Sequence, residues 1–186
     1  MEVLHAYTLE GEGGLLDSIV NNNNEIKRLA TMLMRLTKLL LKKKMSPEEF
    51  SKIVEKYDNK LQSAIELREL YGKMIQEESL VNAKELESIL DDKELITVRK
   101  KIGDMGDEEF RIKLAAVNWD INKINQKTDH LEKCLSLIQS LPSQIGPEDA
   151  EEISRLARDL IKDVKLDEET KNNLTNNIKM IAKLVS

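Results

Sequence analysis

The sequence predicts an all-α fold made of elongated helical hairpins with coiled-coil packing. Only 3% of the 186 residues are aromatic, and the chain contains just seven glycines and three prolines. β-Sandwiches and barrels need many aromatic strand pairs and Gly/Pro turns, so this composition argues against them. Apolar residues instead recur at steps of three and four between charged residues, which make up 34% of the chain. That pattern is typical of long amphipathic helices.

Residues 1–24 form the first predicted segment. They contain Gly11, Gly13, Gly14 and a run of four asparagines that begins at Asn21. These residue types favour turns and compete with helical hydrogen bonds, so we expect residues 1–24 to form a loosely ordered N-terminal segment. From Ile26 an apolar stripe predicts a helix that ends near Lys44.

Two further helices are expected before residue 102. Ser46 is a good N-cap and Pro47 suits the first helical position, so a second helix begins there. Arg68 occupies a position in its apolar stripe where an apolar residue is expected. We therefore expect the C-terminal end of this second helix to be loosened. A third, weaker helix is predicted from about Val81 to Lys101, ending where Gly103 can adopt a left-handed turn.

The next helix carries the clearest pattern in the chain. Apolar residues alternate at steps of four and three for four heptads, interrupted only by Thr128. Such a helix is about 50 Å long, and its seam is a candidate core or self-association surface. The seam residues are Phe110, Leu114, Val117, Ile121, Ile124, Leu131, Leu135 and Ile138. Residues 25–141 are therefore predicted to form two helical hairpins.

Pro142 and Pro147 end this region, and residues 142–186 are predicted to form a short C-terminal hairpin. Its helices use apolar residues from Ile153 to Ile161 and from Leu174 to Leu184, with Asp167 as a cap for the second. Paired glutamates at 48, 108 and 168 are 60 residues apart. One hypothesis is that the chain contains three related hairpins of about 60 residues. The alternative is that the apolar positions match at this offset only because 60 is close to a multiple of the heptad period.

The segment between residues 25 and 44, called the basic segment here, is positively charged, whereas the rest of the chain is negatively charged. It carries +6 in a chain of net charge −5, which leaves −11 for the remainder. It is a candidate contact for a partner or an anionic membrane surface, although we favour an ordinary solvated face of a core helix. Its basic residues are Lys27, Arg28, Arg35, Lys38, Lys42, Lys43 and Lys44.

Catalytic signatures are sparse, and the sequence predicts no enzyme, cofactor or metal. His130 and Cys134 share a helix face as two metal ligands would, but they lack the further ligands of a zinc site. Most of the glutamate and aspartate pairs fall in turns and first helical turns, where capping and the helix dipole explain them. Trp119 is expected to pack against another helix rather than to anchor a partner.

Nothing near Met1 resembles a secretory signal, and no apolar run reaches the length of a membrane span. The single cysteine excludes an internal disulfide. Together these features predict a cytoplasmic protein.

Two stretches resemble the helical hairpins of the archaeal CdvA-like coiled-coil family. They are Lys43–Phe50, continuing to Leu61, and Arg99–Phe110, continuing to Trp119; the resemblance covers about residues 27–140. It implies an archaeal coiled-coil scaffold linked to ESCRT-type division or membrane remodelling. It does not extend to the family's N-terminal β-barrel or extended C-terminal tail, because residues 1–24 are too few for a barrel and the chain ends in a predicted helix.

We therefore expect a non-enzymatic scaffold or adaptor that self-associates as a homo-oligomer or binds a protein partner, with peripheral contact to an anionic membrane as an accessory role. The alternatives are a nucleic-acid-binding helical adaptor, which the acidic net charge disfavours, and a metal-binding helical-bundle enzyme.

Overall fold

The computed structural model describes residues 13–141, 151, 155, 158 and 166–185. Within this part four long helices occur, with no strand: α1 Gly13–Leu41, α2 Pro47–Lys101, α3 Asp107–Ser140 and α4 Glu168–Val185. The predicted all-α class is confirmed. None of the helices described is both long and apolar enough to cross a membrane. The helix expected over residues 153–161 lies largely outside the described residues.

The chain divides into two compact units. Unit 2 is Gly72–Leu135, and unit 1 combines the described residues up to Tyr71 with those from Ser136 onward. In unit 1, buried apolar side chains of α1, α2 and α4 form one cluster. Fully buried members include Leu29 and Leu33 of α1, Phe50 and Leu61 of α2, and Leu174 and Ile181 of α4. Burial of this many large side chains is the main stabilising term of unit 1.

The start of α1 differs from prediction, because residues 13–24 are helical rather than loosely ordered. The reason lies in tertiary contacts of the asparagine run. Asn22 donates from its side-chain amide to the Ala64 carbonyl at 3.0 Å, and Asn23 donates to the Leu137 carbonyl at 2.9 Å. Both asparagines are buried, so these bonds replace the local ones that would favour a turn.

The predicted break between a second and a third helix is also wrong. α2 runs without interruption for 55 residues. Gly72 is the only glycine in it, and a helical glycine costs about 1 kcal/mol without breaking the helix. Arg68 does not loosen the end of a helix; its guanidinium donates to the Ile138 carbonyl at 2.6 Å.

Both predicted N-caps are confirmed. The Ser46 hydroxyl accepts from the Glu49 amide at 3.2 Å, and the Ser46 amide donates to the Glu49 carboxylate at 3.0 Å, a reciprocal capping box. At α4 the Asp167 carboxylate accepts from the Thr170 amide at 2.7 Å, and these bonds lower the pKa of Asp167. The carboxylate therefore stays charged at the positive end of the helix dipole.

The turns after α1 and α2 have the same geometry at an offset of 60 residues. The Lys43 and Lys44 amides donate to the Leu40 and Leu39 carbonyls, and the Gly103 and Asp104 amides repeat these bonds to Lys100 and Arg99. This is the Schellman pattern, in which the residue after the cap is left-handed. Lys43 has φ 53° and Gly103 has φ 79°.

Substitutions at the two residues with left-handed backbone, Lys43 and Gly103, should change the free energy of unfolding in opposite directions. Lys43→Gly should raise the free energy of unfolding by about 1 kcal/mol, because glycine adopts positive φ without the clash of a Cβ atom. Gly103→Ala should lower it by about 1 kcal/mol through backbone strain alone, since a Cβ there meets no atom within 4 Å.

Gly72→Ala is the control, because it lies inside α2 and is equally free of neighbours within 4 Å. It should stabilise by up to about 1 kcal/mol. Urea unfolding of the three variants measures the effect. Destabilisation by Lys43→Gly would show that the Lys43 side chain matters more than its backbone geometry.

Candidate functional site

The predicted seam of α3 forms the least exposed face of that helix. Ile124, Leu131 and Ile138 are buried, and the other five seam residues are half-buried. Residues that flank the seam, such as Asn118 and Asn125, are exposed. The pattern identifies the face on which α3 packs, and its role in self-association stays a prediction.

A matching face on α2 was not predicted. Half-buried or buried residues occur at alternating steps of four and three through the part of α2 that belongs to unit 2. They are Ile75, Ser79, Asn82, Leu86, Ile89, Lys93, Ile96 and Lys100. The spacing of seven from Ile75 to Ile96 was the available signal. Polar residues at 79, 82, 93 and 100 obscured it, since a heptad face normally needs apolar side chains.

Asn82 is the most unusual residue of this face. Its side chain is 1% exposed, and neither its amide nitrogen nor its oxygen has a hydrogen-bond partner. An amide buried without partners costs about 1–3 kcal/mol. A single buried asparagine on an apolar helix face is used in coiled coils to restrict register and oligomeric state.

One edge of the α2 face is charged along its length. Ion pairs set the register there: Lys127 of α3 lies 3.7 Å from Glu78 of α2, and Lys100 pairs with Asp107. We call this flank the charged edge; it comprises Glu78, Glu85, Asp92 and Arg99 of α2 with Lys113, Asp120 and Lys127 of α3. A charged flank is typical of a surface that faces water.

The residues that directly flank the face on the other side are uncharged over most of its length: Gln76, Ala83, Leu90 and Thr97 of α2 with Asn118 and Asn125 of α3. Farther out on this flank, Leu80 shares its heptad position with the exposed Glu87 and Glu94. An apolar groove of about 440 Å³ opens on it, lined by Ile75, Gln76, Ser79, Leu80 and Leu135. Leu80 is 64% and Leu90 47% exposed, although both are large and apolar.

Trp119 is exposed, contrary to the predicted packing against another helix. Its side chain is 65% exposed, and the Lys123 ammonium lies 5.5 Å from the ring centroid. Trp119 is on the side of α3 opposite to the seam, two residues beyond Val117. Exposed tryptophans are enriched among residues that dominate protein interfaces.

The basic segment lies on α1 and on the turn that follows it. Six of its seven basic residues are exposed, and Lys38 is half-buried. Lys27, Arg28 and Arg35 line one shallow groove with Asn24, Thr31 and Met32. Arg28 already pairs with Glu25 at 2.6 Å, so the groove is less positive than the sequence suggests.

His130 and Cys134 do lie together, with Sγ 3.8 Å from Nε2. No group of three or more His, Cys, Asp or Glu suited to a metal occurs among the residues described. Burial raises the pKa of the Cys134 thiol, which therefore stays protonated at neutral pH and is a poor nucleophile. Several of the paired carboxylates form caps or short-range ion pairs, as at Glu49, Glu108 and Glu168.

Comparison with protein-family models, curated proteins and solved structures found no match to this chain.

Replacing the unpartnered asparagine should stabilise the protein. Asn82→Leu should raise the free energy of unfolding by about 1–3 kcal/mol, because it removes a buried amide without a partner. Asn177→Leu is the matched control in unit 1: Asn177 is equally buried and its side-chain oxygen also lacks a partner, but its amide nitrogen donates to the Thr37 hydroxyl at 3.0 Å.

The control should be destabilising, because Thr37 would lose its donor. Chemical unfolding monitored by circular dichroism measures both changes. Equal destabilisation by the two substitutions would mean that Asn82 is satisfied in solution, for example by a buried water.

Proposed function

We propose that this protein is a non-enzymatic helical scaffold that self-associates through unit 2. The observation that supports this proposal is the distribution of large apolar side chains in Gly72–Leu135, every residue of which the structure describes. Eight are exposed, whereas only five apolar side chains, Cys134 among them, are buried. The exposed ones are Leu80, Val81, Leu90, Leu95, Val98, Ile102, Ile112 and Trp119.

This distribution is unusual for a unit that functions alone. Scattered apolar residues are normal on a protein surface, but a concentration along two helices marks an interaction surface. Two helices cannot enclose a core between them in the way that a bundle of three or four can. Association would bury these side chains and supply the missing helices.

The resemblance to the CdvA-like family extends this proposal to a scaffold that acts in archaeal ESCRT-type division or membrane remodelling. That extension depends on the resemblance alone, whereas self-association is supported by the exposed side chains of unit 2.

A second candidate role is contact with an anionic membrane surface through the basic segment. The supporting observation is that Lys42, Lys43 and Lys44 are exposed in the turn after α1, and that Arg35 is exposed on α1 itself. Lysines near an anionic leaflet contribute about 1 kcal/mol each. This role is compatible with self-association, because the two roles use different residues.

Light scattering tests self-association directly. The weight-average mass of the full chain should rise above the 21.3 kDa of the monomer as concentration increases through the micromolar range. Apolar burial is insensitive to salt, so association should persist in 1 M NaCl, where surface ion pairs are screened. A mass that stays at the monomer value at every concentration would contradict the proposal.

Reversal of the three turn lysines tests membrane contact. Lys42, Lys43 and Lys44 changed together to Glu should strongly reduce sedimentation with phosphatidylserine vesicles, by more than tenfold in affinity. The control reverses Lys52, Lys56 and Lys60, which are exposed at steps of four on α2 and give the same change in net charge.

Vesicles of phosphatidylcholine alone should sediment none of the three proteins. Equal sedimentation of the wild type and both variants with anionic vesicles would remove the turn lysines as a membrane determinant.

A further inference from the structure

We propose that unit 2 pairs with a second copy of itself through the outer face of α3, the exposed stripe formed by Ile112, Ala115, Ala116 and Trp119. The two α3 helices would lie antiparallel about a twofold axis between Ala115 and Ala116. This inference rests on the proposed self-association and specifies the surface and the symmetry that it uses.

The outer face is a second apolar stripe on α3. Its four residues follow one another at steps of three, one and three, which brings them to one side of the helix. All four are exposed, Ile112 at 60% and Trp119 at 65%. Ile112 is two residues beyond Phe110 of the seam, so the stripe lies on the opposite side of the helix. A helix with apolar residues on two opposite sides is suited to packing on both, and α2 covers only the seam.

Antiparallel pairing makes the outer face complementary to itself in shape. An axis between Ala115 and Ala116 places Ile112 of each copy level with Trp119 of the other. The alanines meet at the centre, where their small side chains let the two helices approach closely. Each indole would pack on an isoleucine and leave the solvent, which is the usual setting of a tryptophan that dominates an interface.

The charges on one flank of the stripe also complement each other under this symmetry. Because Ile112 lies level with Trp119, Glu109 lies level with position 122 of the second copy, directly beside Lys123. Lys113 lies level with position 118, two residues from Asp120. Two acids and two bases therefore meet on this flank, and each acid has a base of the other copy within reach.

The other flank combines an ion pair with amides. It carries Glu108 and Arg111, which pair with each other at 2.9 Å, and the exposed Asn118 and Asn122. The axis places Arg111 level with position 120 of the second copy, between the two asparagines. A side-chain amide both donates and accepts hydrogen bonds, so it can serve either charge.

These charges favour a second copy in the antiparallel orientation. In a twofold interface of this kind only residues at the axis meet their own copies, and here those residues are alanines. A parallel pair would instead place each charge beside an identical one, such as Lys123 beside Lys123. A foreign partner would not require charges that complement themselves about one point of the chain.

The length of the contact sets the strength of association. It extends from Glu108 to Lys123, about 24 Å of helix. A contact of this length is at the small end of specific interfaces, so we expect dimerisation in the micromolar range.

The fluorescence of Trp119 tests which surface is used, because the chain contains no other tryptophan. As concentration rises through the micromolar range, the emission maximum should shift to shorter wavelength and quenching by iodide should decrease, in parallel with the mass measured by light scattering. A rising mass with unchanged emission would show that the copies meet elsewhere, which overturns this inference and leaves the scaffold role standing. A mass that stays at the monomer value would overturn both.

Truncation of the indole tests its contribution. Trp119→Ala should weaken dimerisation at least about tenfold, because it removes the largest side chain of the interface. Leu95→Ala is the matched control, since Leu95 is 58% exposed but lies on α2. It should change dimerisation by less than about twofold. Sedimentation equilibrium measures dimerisation, circular dichroism verifies the helix content, and the reverse order of effects would place the interface on α2.

Charge exchange tests the orientation of the two helices. Lys123→Glu should weaken dimerisation about fivefold, because it places an acid beside Glu109 of the other copy at two symmetric places. Addition of Glu109→Lys should restore most of the affinity. The two positions are about 21 Å apart along one helix, so rescue can arise only between copies. Failure of this rescue would contradict the antiparallel twofold arrangement.

Cross-linking locates the axis. In a Cys134→Ala background, Ala116→Cys should form an intermolecular disulfide under mild oxidation, because position 116 faces its own copy beside the axis. Ala83→Cys is the control, since Ala83 is also an exposed alanine but lies on α2, and it should not cross-link. Failure of Ala116→Cys to cross-link in a chain that associates would overturn the proposed face.

Discussion

Unit 1 is organised around the C-terminal end of α3, where the Leu137 and Ile138 carbonyls have no backbone donor four residues on; the Ser140 hydroxyl and the Leu141 amide donate to them locally. The final four carbonyls of any helix need donors from elsewhere, and buried ones cannot obtain them from bulk water. Arg68 of α2 donates to Ile138 at 2.6 Å, and Asn23 of α1 donates to Leu137 at 2.9 Å. The cationic donor also complements the negative end of the helix dipole. Two helices are thus bonded to the end of a third, and Leu141 directly after it is fully buried in the core.

These contacts explain why two features of the sequence were misinterpreted. The asparagine run and Arg68 both look like interruptions of amphipathic helices when each helix is considered alone. In the fold Asn23 and Arg68 supply two of the donors to the end of α3. The side chains at positions 137 and 138 give no sign of these bonds, because the acceptors are backbone carbonyls. Burial lowers the pKa of Arg68, but a guanidinium remains charged at neutral pH. The apparent defects are therefore interhelical contacts that residue-by-residue propensity cannot anticipate.

What the sequence did predict was local or periodic. Ser46 and Asp167 were identified as caps because a cap needs only residues within one helical turn. The seam of α3 was predicted from its nearly unbroken spacing, whereas the matching face of α2 was missed because Asn82 and Lys93 occupy positions that normally carry apolar residues. The turns at Lys43 and Gly103 share their hydrogen bonds at the offset of 60, which periodicity of apolar residues cannot explain. A third equivalent turn falls outside the described residues and stays a prediction.

The two units differ in how completely they bury their apolar side chains. Unit 1 encloses its apolar cluster with three helices, and each of its buried asparagines donates a hydrogen bond to another helix, as Asn177 does to Thr37. Unit 2 has only α2 and α3, leaves eight large apolar side chains exposed and buries an asparagine that has no partner. Simple substitutions would remove both features and stabilise an isolated chain. Their presence together in one unit is accounted for if unit 2 completes its packing only in an assembly, with the polar residue restricting which assemblies can form.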